Sequence, residues 1–205
     1  MVIHFTAMDS LAAARRRLCD PAAEVSAHYL IGHDGTTELL VPEEHRAWHA
    51  GAGQWAGRGD VNSRSIGIEL GNCGLEPFPE AQMAALERLL PGIMARWKIP
   101  AHGVIGHSDM APGRKADPGG RFDWRRLALG GLSVWPMRAV AVADRDAFRR
   151  DAQAFGYPDV TDDLLLSAFR LRFAPWRRGA LTGDDCAEAA DLARRFAVDA
   201  GTIRA

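Results

Sequence analysis

Apolar and polar residues alternate in several short stretches of the first half of the chain, as they do in half-buried β-strands. Together with a short apolar run at the start, the pattern predicts strands at residues 1–6, 26–31, 38–41, 65–70 and 104–105. Helical spacing of apolar residues predicts helices at residues 10–18 and 79–97, and Pro91 is expected to kink or split the second. Strands that alternate with helices predict an α/β fold, in which helices flank a central sheet.

The stretch at residues 65–70 alternates strictly between the two kinds of residue. Ile66, Ile68 and Leu70 are therefore expected on one face of a strand, and the opposite face carries Ser65, Gly67 and Glu69. A buried strand seldom carries a glutamate unless the carboxylate is paired or does chemistry. Glu69 is therefore a candidate functional residue.

Glycines become rare after residue 144, and three helical patterns follow at residues 145–155, 161–173 and 182–196. A module of about 60 residues folds alone only marginally, so these helices are expected to pack on the first domain or on a partner. The predicted organisation is a first domain at residues 1–128, a linker at 129–143 and a small three-helix domain at 144–205.

The composition excludes several classes of protein. Hydrophobic residues make up 47% of the 205 residues and the formal net charge is -1, which argues against a strongly basic nucleic-acid-binding protein. The chain has no apolar run long enough to span a membrane. The sequence as given starts without a secretory signal, which predicts a cytoplasmic protein. An N-terminal leader lost from this sequence would instead predict a periplasmic or outer-membrane-anchored one.

Cysteine and lysine are both rare. The three cysteines are far apart and include no C-x-x-C pair, which argues against a disulfide framework and a thiolate zinc site. Only two of the 25 basic residues are lysines, so a lysine in a loop marks a position where arginine does not serve. Lys115 occupies such a loop and is a candidate for stabilising an oxyanion.

Two histidines and an aspartate form a candidate metal site. His4 ends the first strand and His107 follows the last one, at positions where open sheets present ligands. Asp117 lies ten residues after His107, in a loop rich in proline and glycine. These three side chains would give zinc three ligands and an open fourth position. Spacing alone also allows scattered structural histidines. Glu69 favours the metal site, since a carboxylate close to activated water is the usual general base.

Five segments carry a family resemblance, in the family's order. The chain resembles the type 2 N-acetylmuramoyl-L-alanine amidases, relatives of the peptidoglycan recognition proteins, at residues 2–7, 25–31, 46–51, 62–70 and 106–119. The resemblance implies a mixed central sheet flanked by helices. It also implies a zinc hydrolase that cuts the amide bond between N-acetylmuramic acid and L-alanine in peptidoglycan or muropeptides, in cell-wall recycling or turnover.

The resemblance also implies roles for individual residues. His4, His107 and Asp117 would bind Zn²⁺, Glu69 would be the general base, and Lys115 would stabilise the tetrahedral intermediate.

The remaining expectations concern substrate binding. His49 would line the groove near the metal, and Asn62 lies in a matching segment. Trp48 can stack on a sugar ring or merely cover the core, and Arg64 can bind a stem-peptide carboxylate. These four residues are the predicted substrate-binding set.

Residues 144–205 resemble, more loosely, the three-helix peptidoglycan-binding module, although a purely structural bundle has the same spacing. Peptidoglycan or anhydro-muropeptide is the expected partner, no nucleic acid is expected, and a monomer is predicted. One alternative function is a non-catalytic peptidoglycan recognition protein on the same scaffold. Another is a zinc hydrolase of this fold acting on an unrelated amide.

Overall fold

The computed structural model describes residues 1–137 and 139–198. The last seven residues of the predicted helical domain lie outside this part of the chain. The strands are β1 (Val2–Phe5), β2 (Tyr29–Ile31), β3 (Thr37–Leu39), β4 (Gly67–Leu70) and β5 (Ile105–Gly106). The helices are α1 (Leu11–Leu18), α2 (Glu80–Trp97), α3 (His107–Met110), α4 (Trp124–Leu129), α5 (Arg145–Phe155), α6 (Asp162–Phe173) and α7 (Gly183–Phe196).

The five strands form one mixed sheet in the order β3-β2-β4-β1-β5. Strand β1 runs parallel to both of its neighbours, β2 runs parallel to β4, and only β3 is antiparallel to its partner. The predicted α/β fold with a mixed central sheet is therefore confirmed. Strands β1 to β4 are each shorter than the sequence pattern predicted, and β5 lies one residue later.

One hydrophobic cluster joins a face of the sheet to α2. Ile3 from β1 and Ile68 from β4 pack there with Leu86 and Leu90 from α2. Ile66 and Leu70 belong to the same cluster, so the predicted apolar face of residues 65–70 is confirmed. Alternation along the strands directs the polar residues of β1 and β4 to the opposite face.

Helix α2 continues from Glu80 to Trp97 through Pro91, so the predicted split is wrong. The proline itself is exposed, whereas Leu86, Leu90 and Ile93 on both sides of it are buried. Burial of three large aliphatic side chains offsets the roughly 3 kcal/mol that an interior proline costs a helix.

The three C-terminal helices begin and end close to their predicted bounds, and α5 and α7 begin at side-chain caps that are encoded locally. The Asp144 carboxylate accepts the Ala147 N–H at the start of α5. At the start of α7, Thr182 and Asp185 form a capping box, in which each side chain accepts the other residue's backbone N–H.

A second hydrophobic cluster contains residues from both halves of the chain. Val2, Ala50 and Trp55 pack there together with Phe155 and Phe169 from the C-terminal helices. The predicted domain boundaries stay a prediction, but the C-terminal helices and the sheet share this buried core.

Candidate functional site

The ends of three parallel strands meet at one edge of the sheet, because β1 lies between β4 and β5. His4 on β1 is in register with Glu69 on β4, and His107 begins α3 directly after β5. Ligands bind in open α/β sheets at the carboxyl ends of parallel strands. The fold therefore brings together three polar residues that are far apart in the sequence.

His4, His107 and Asp117 form a small buried triangle. The His4 Nδ1 atom lies 2.9 Å from the Nδ1 atom of His107 and 2.9 Å from the Oδ2 atom of Asp117. His107 Nδ1 and Asp117 Oδ2 are 3.0 Å apart. The Asp117 loop is joined to α3 by a hydrogen bond from the Ser108 N–H to the Asp117 carbonyl oxygen. These three side chains can hold a metal ion, because each offers one ligand atom within 4.8 Å of the others.

The hydrogen bonds of His107 assign its protons. Its Nε2 atom lies 2.8 Å from the carbonyl oxygen of Ala50. A lone pair on Nε2 would repel the carbonyl oxygen at this distance, so Nε2 carries a proton and donates it to that oxygen. The Arg114 guanidinium donates to the same oxygen at 2.6 Å. In the neutral imidazole, Nδ1 therefore presents a lone pair to the triangle.

A chain of hydrogen bonds makes the same assignment for His4. The Ser65 hydroxyl donates to the Val61 carbonyl at 2.6 Å, so its oxygen is left to accept from His49 Nε2 at 3.2 Å. His49 Nδ1 then accepts from His4 Nε2 at 3.0 Å. Burial lowers the pKa of His4 to about 4 and the pKa of His49 well below its ordinary value, so both rings are neutral. The Nδ1 atom of His4 is left without a proton.

Three hydrogen-bond acceptors therefore point at one another in the triangle: two imidazole lone pairs and one carboxylate oxygen. Acceptors at such short separation repel one another unless a cation lies among them. The donor set fits a divalent metal ion that takes nitrogen and oxygen ligands.

Glu69 lies beside this triangle. The pKa of Glu69 is raised to about 8. Burial is the main cause, the negative charge of Asp117 also raises the pKa, and the positive charge of Lys115 lowers it. One carboxyl oxygen, Oε2, is buried without a hydrogen-bond partner among the described residues. A carboxyl group in this state exchanges a proton near neutral pH, as a general base and acid must.

A cavity of about 300 Å³ opens onto the three candidate ligands, Glu69 and Lys115. Trp48 and Arg17 form part of its wall. A larger cavity of about 850 Å³ runs along α6 and contains none of these five residues. We take the smaller cavity as the candidate active site, because the titratable groups with perturbed pKa values converge there.

The predicted substrate-binding residues divide into two pairs. Trp48 is 52% exposed and lines the cavity, as does part of His49. Asn62 is not part of the cavity wall: its side-chain oxygen accepts the backbone N–H groups of His49 and Ala50, and so holds the loop that carries them. Arg64 also lies off the cavity and donates to two backbone carbonyl oxygens of its own loop.

Two residues of the site received no role from the sequence, Ser65 and Gly67. Ser65 ends the hydrogen-bond chain that reaches His4. A Cβ atom on Gly67 would lie 2.3 Å from Cγ of His49, so the ring fits only against glycine. The strict alternation of residues 65–70 was a usable signal, since it puts both residues on the same strand face as Glu69.

The chain is similar to known proteins in both sequence and structure. The family model described as N-acetylmuramoyl-L-alanine amidase matches residues 1–120. The N-acetylmuramoyl-L-alanine amidase AmiD of Escherichia coli is 41% identical over 152 residues, which are 66% of this chain and 54% of that protein. The 1,6-anhydro-N-acetylmuramyl-L-alanine amidase AmpD of Enterobacter cloacae is 43% identical over 103 residues, 50% of this chain and 55% of that one. The chain thus spans about half the length of these curated relatives.

A solved structure of E. coli AmiD, in complex with the substrate anhydro-N-acetylmuramic acid-L-Ala-D-gamma-Glu-L-Lys, superimposes with a TM-score of 0.88 at 34% identity. The match covers 97% of this chain and 89% of that one, so the similarity of fold includes the C-terminal helices. The structure of AmpDH3 from Pseudomonas aeruginosa, in complex with anhydromuramic pentapeptide, gives a TM-score of 0.82 at 32% identity, over 96% of this chain and 91% of that one.

Proposed function

Because the chain belongs to the N-acetylmuramoyl-L-alanine amidase family, we propose that it hydrolyses the amide bond between N-acetylmuramic acid and L-alanine. The observation that carries this proposal is the triangle of unprotonated acceptor atoms from His4, His107 and Asp117, next to a buried carboxyl group, Glu69. We further propose that the substrates are muropeptides with an anhydromuramyl end. Two structural relatives, of 32% and 34% identity, are complexes with such compounds.

Zinc is the metal that we propose for the three ligands. Two imidazole nitrogens and one carboxylate oxygen are a set typical of catalytic zinc, and they leave one position open. The acceptor atoms are 2.9–3.0 Å apart, slightly less than the separation of about 3.3 Å that four tetrahedral ligands of zinc require. When bound, zinc would polarise the carbonyl group of the amide and acidify the attacking water.

Glu69 is proposed to move the proton. Its carboxylate takes a proton from the attacking water as the new C–O bond forms at the carbonyl carbon. It then gives this proton to the amide nitrogen as the C–N bond breaks, which leaves a carboxylic acid and the free amine of L-alanine. In the metal-free protein burial raises the pKa of Glu69 to about 8. A bound cation would lower this pKa, so that the group is ionised for the first step and still takes up and releases the proton near neutral pH.

Lys115 and Trp48 are proposed to act on the substrate directly. Both line the candidate cavity. The ammonium group of Lys115 stabilises the negative oxygen of the tetrahedral intermediate. The indole ring of Trp48, half exposed at the rim, offers an apolar face on which a sugar ring can stack.

Product analysis tests this function. Purified protein is incubated with intact sacculi and, separately, with soluble anhydro-muropeptides, and products are identified by mass spectrometry with the bound zinc measured in parallel. We expect free stem peptide from the soluble substrate, no product after treatment with a chelator, and recovery on addition of zinc. Turnover that survives complete removal of metal would contradict the proposal.

The variant Glu69→Gln tests the proposed role of Glu69 in proton transfer. The substitution keeps the size of the side chain and removes its ability to accept a proton. We expect this variant to retain zinc and to turn over roughly 10²–10⁴-fold more slowly than the parent. Equal rates would remove Glu69 from the mechanism. Binding of muropeptide by a zinc-loaded parent that releases no product would favour the non-catalytic recognition protein instead.

A further inference from the structure

A buried carboxylate on α3 connects the candidate metal site to the C-terminal helices. Asp109 lies two residues after His107 and is fully buried. Its Oδ2 atom accepts the backbone N–H of Gly106 at 2.8 Å, at the start of α3. The same oxygen accepts from the Arg172 guanidinium at 2.8 Å, and Oδ1 accepts from the Tyr157 hydroxyl at 2.6 Å. Two of its three partners thus come from residues beyond the predicted linker.

Arg172 is held in place from several sides. On α6 it is only 2% exposed, and it donates to the Val104 carbonyl at 3.0 Å and to the Ser133 hydroxyl at 3.2 Å. Its guanidinium carbon lies 4.5 Å from the ring centre of Trp124 and 4.9 Å from that of Phe173. Val104 lies just before β5, and β5 leads directly into α3. Arg172 therefore touches the chain on both sides of His107.

We propose that Asp109, Tyr157 and Arg172 are positioning residues for the metal ligand His107, an inference that rests on the proposed function. Helix α3 has only four residues, too few to hold an orientation by its own hydrogen bonds. Contacts behind a metal ligand fix the direction of its ring, and loss of such contacts typically weakens metal binding. In this proposal the C-terminal helices support the metal site through α3, in addition to any role in binding peptidoglycan.

The same helix offers a matched control. Arg170 on α6 forms a buried pair with Asp185 of α7, with N–O distances of 3.1 and 2.5 Å. Its other partners are the carbonyl oxygens of Gly179 and Ala180, which also belong to the C-terminal part of the chain. Loss of this pair removes a buried ion pair from the C-terminal helices without removing a contact to α3.

The experiment compares three variants of the full chain: Tyr157→Phe, Arg172→Met and Arg170→Met. The affinity for zinc alone is measured by competition with a chromogenic chelator, and thermal unfolding is measured on the metal-free proteins. We expect Tyr157→Phe and Arg172→Met to weaken zinc binding by about tenfold or more. Arg170→Met is expected to stay within about twofold of the parent, although it lowers the unfolding temperature. Tyr157→Phe keeps the aromatic ring in the core and so preserves the fold.

Zinc affinities of Tyr157→Phe and Arg172→Met equal to the parent's would overturn the inference, as would an equal loss in Arg170→Met. A parent that binds no zinc would instead refute the proposed function. Amide hydrogen exchange of residues 107–111 in the metal-free proteins then tests, independently of zinc binding, whether these residues hold α3 in place. Faster exchange in Tyr157→Phe than in Arg170→Met supports it, and equal exchange rates contradict it.

Discussion

At the scale of single residues, Glu69 has an unfavourable environment for a charged group. It lies on a buried strand with one carboxyl oxygen unpartnered among the described residues. An ionised carboxylate in such a place costs free energy unless a cation is near, which is why burial raises its pKa to about 8. The same environment suits a group that must take up and release a proton. A buried carboxyl group with a raised pKa and an unpartnered oxygen is a candidate for chemistry rather than a contributor to stability.

The pH dependence of unfolding gives a prediction for this residue. In the unfolded chain Glu69 has its ordinary pKa of 4.5, and in the folded metal-free protein about 8. Between these values the folded state binds more protons than the unfolded state, so stability falls as pH rises, by up to about 1.4 kcal/mol per pH unit. The stability that protonated Glu69 contributes is fully present below pH 4.5 and lost as pH rises through about 8.

Glu69→Gln lacks this titration. Urea unfolding of both metal-free proteins at pH 5 and pH 8 is therefore expected to show the variant gaining stability relative to the parent as pH rises. The other titratable groups are common to both proteins, so the comparison isolates Glu69. A difference in stability that is the same at both pH values would mean that the pKa of Glu69 is not raised.

At the scale of elements, the polar face of strand β4 contributes directly to the site. Its polar face supplies Glu69 and the glycine against which His49 packs, and Ser65 lies just before it. The Ser65–His49–His4 hydrogen-bond chain leaves the Nδ1 atom of His4 unprotonated. A single strand therefore positions the proposed base directly and a proposed metal ligand indirectly.

Gly67→Ala tests this role of the strand. The new Cβ atom would overlap the His49 ring at 2.3 Å, so the ring must move and its hydrogen bond to His4 is lost. We expect the variant to be destabilised by about 1–3 kcal/mol and to bind zinc at least about tenfold more weakly. Gly59→Ala is the control, because the nearest atom to its Cβ position is 3.9 Å away. Parent-like zinc affinity in Gly67→Ala would show that His49 does not position His4.

At the scale of the whole molecule, local features were predictable and distant contacts were not. Caps such as Ser10 and Thr182 lie next to the helices they begin, so the bounds of α1 and α7 follow from the sequence. The resemblance to the amidase family, which the comparisons confirm, suggested His4, His107 and Asp117 as ligands, and their close approach depends on parallel strand pairing. The peptidoglycan-binding role of residues 144–205, the monomeric state and the compartment stay predictions.

The sequence predicted that the C-terminal helices pack on the first domain or on a partner, but it carried no signal for the individual contacts between the two halves of the chain. Asp109 and Arg172 are 63 residues apart, and each alone resembles an ordinary surface charge. Only the folded chain shows that they pair in a buried core shared by the sheet and the C-terminal helices. None of the helices described here is long and apolar enough to cross a membrane.

The central claim is that one metal ion is held by His4, His107 and Asp117. Anomalous diffraction at the zinc absorption edge, from crystals grown with zinc, tests it most directly. We predict one strong peak within about 2.0–2.2 Å of His4 Nδ1, His107 Nδ1 and Asp117 Oδ2, and no peak there in Asp117→Ala. If the parent shows no zinc peak at these three atoms, whether or not zinc binds elsewhere, the result would contradict the account.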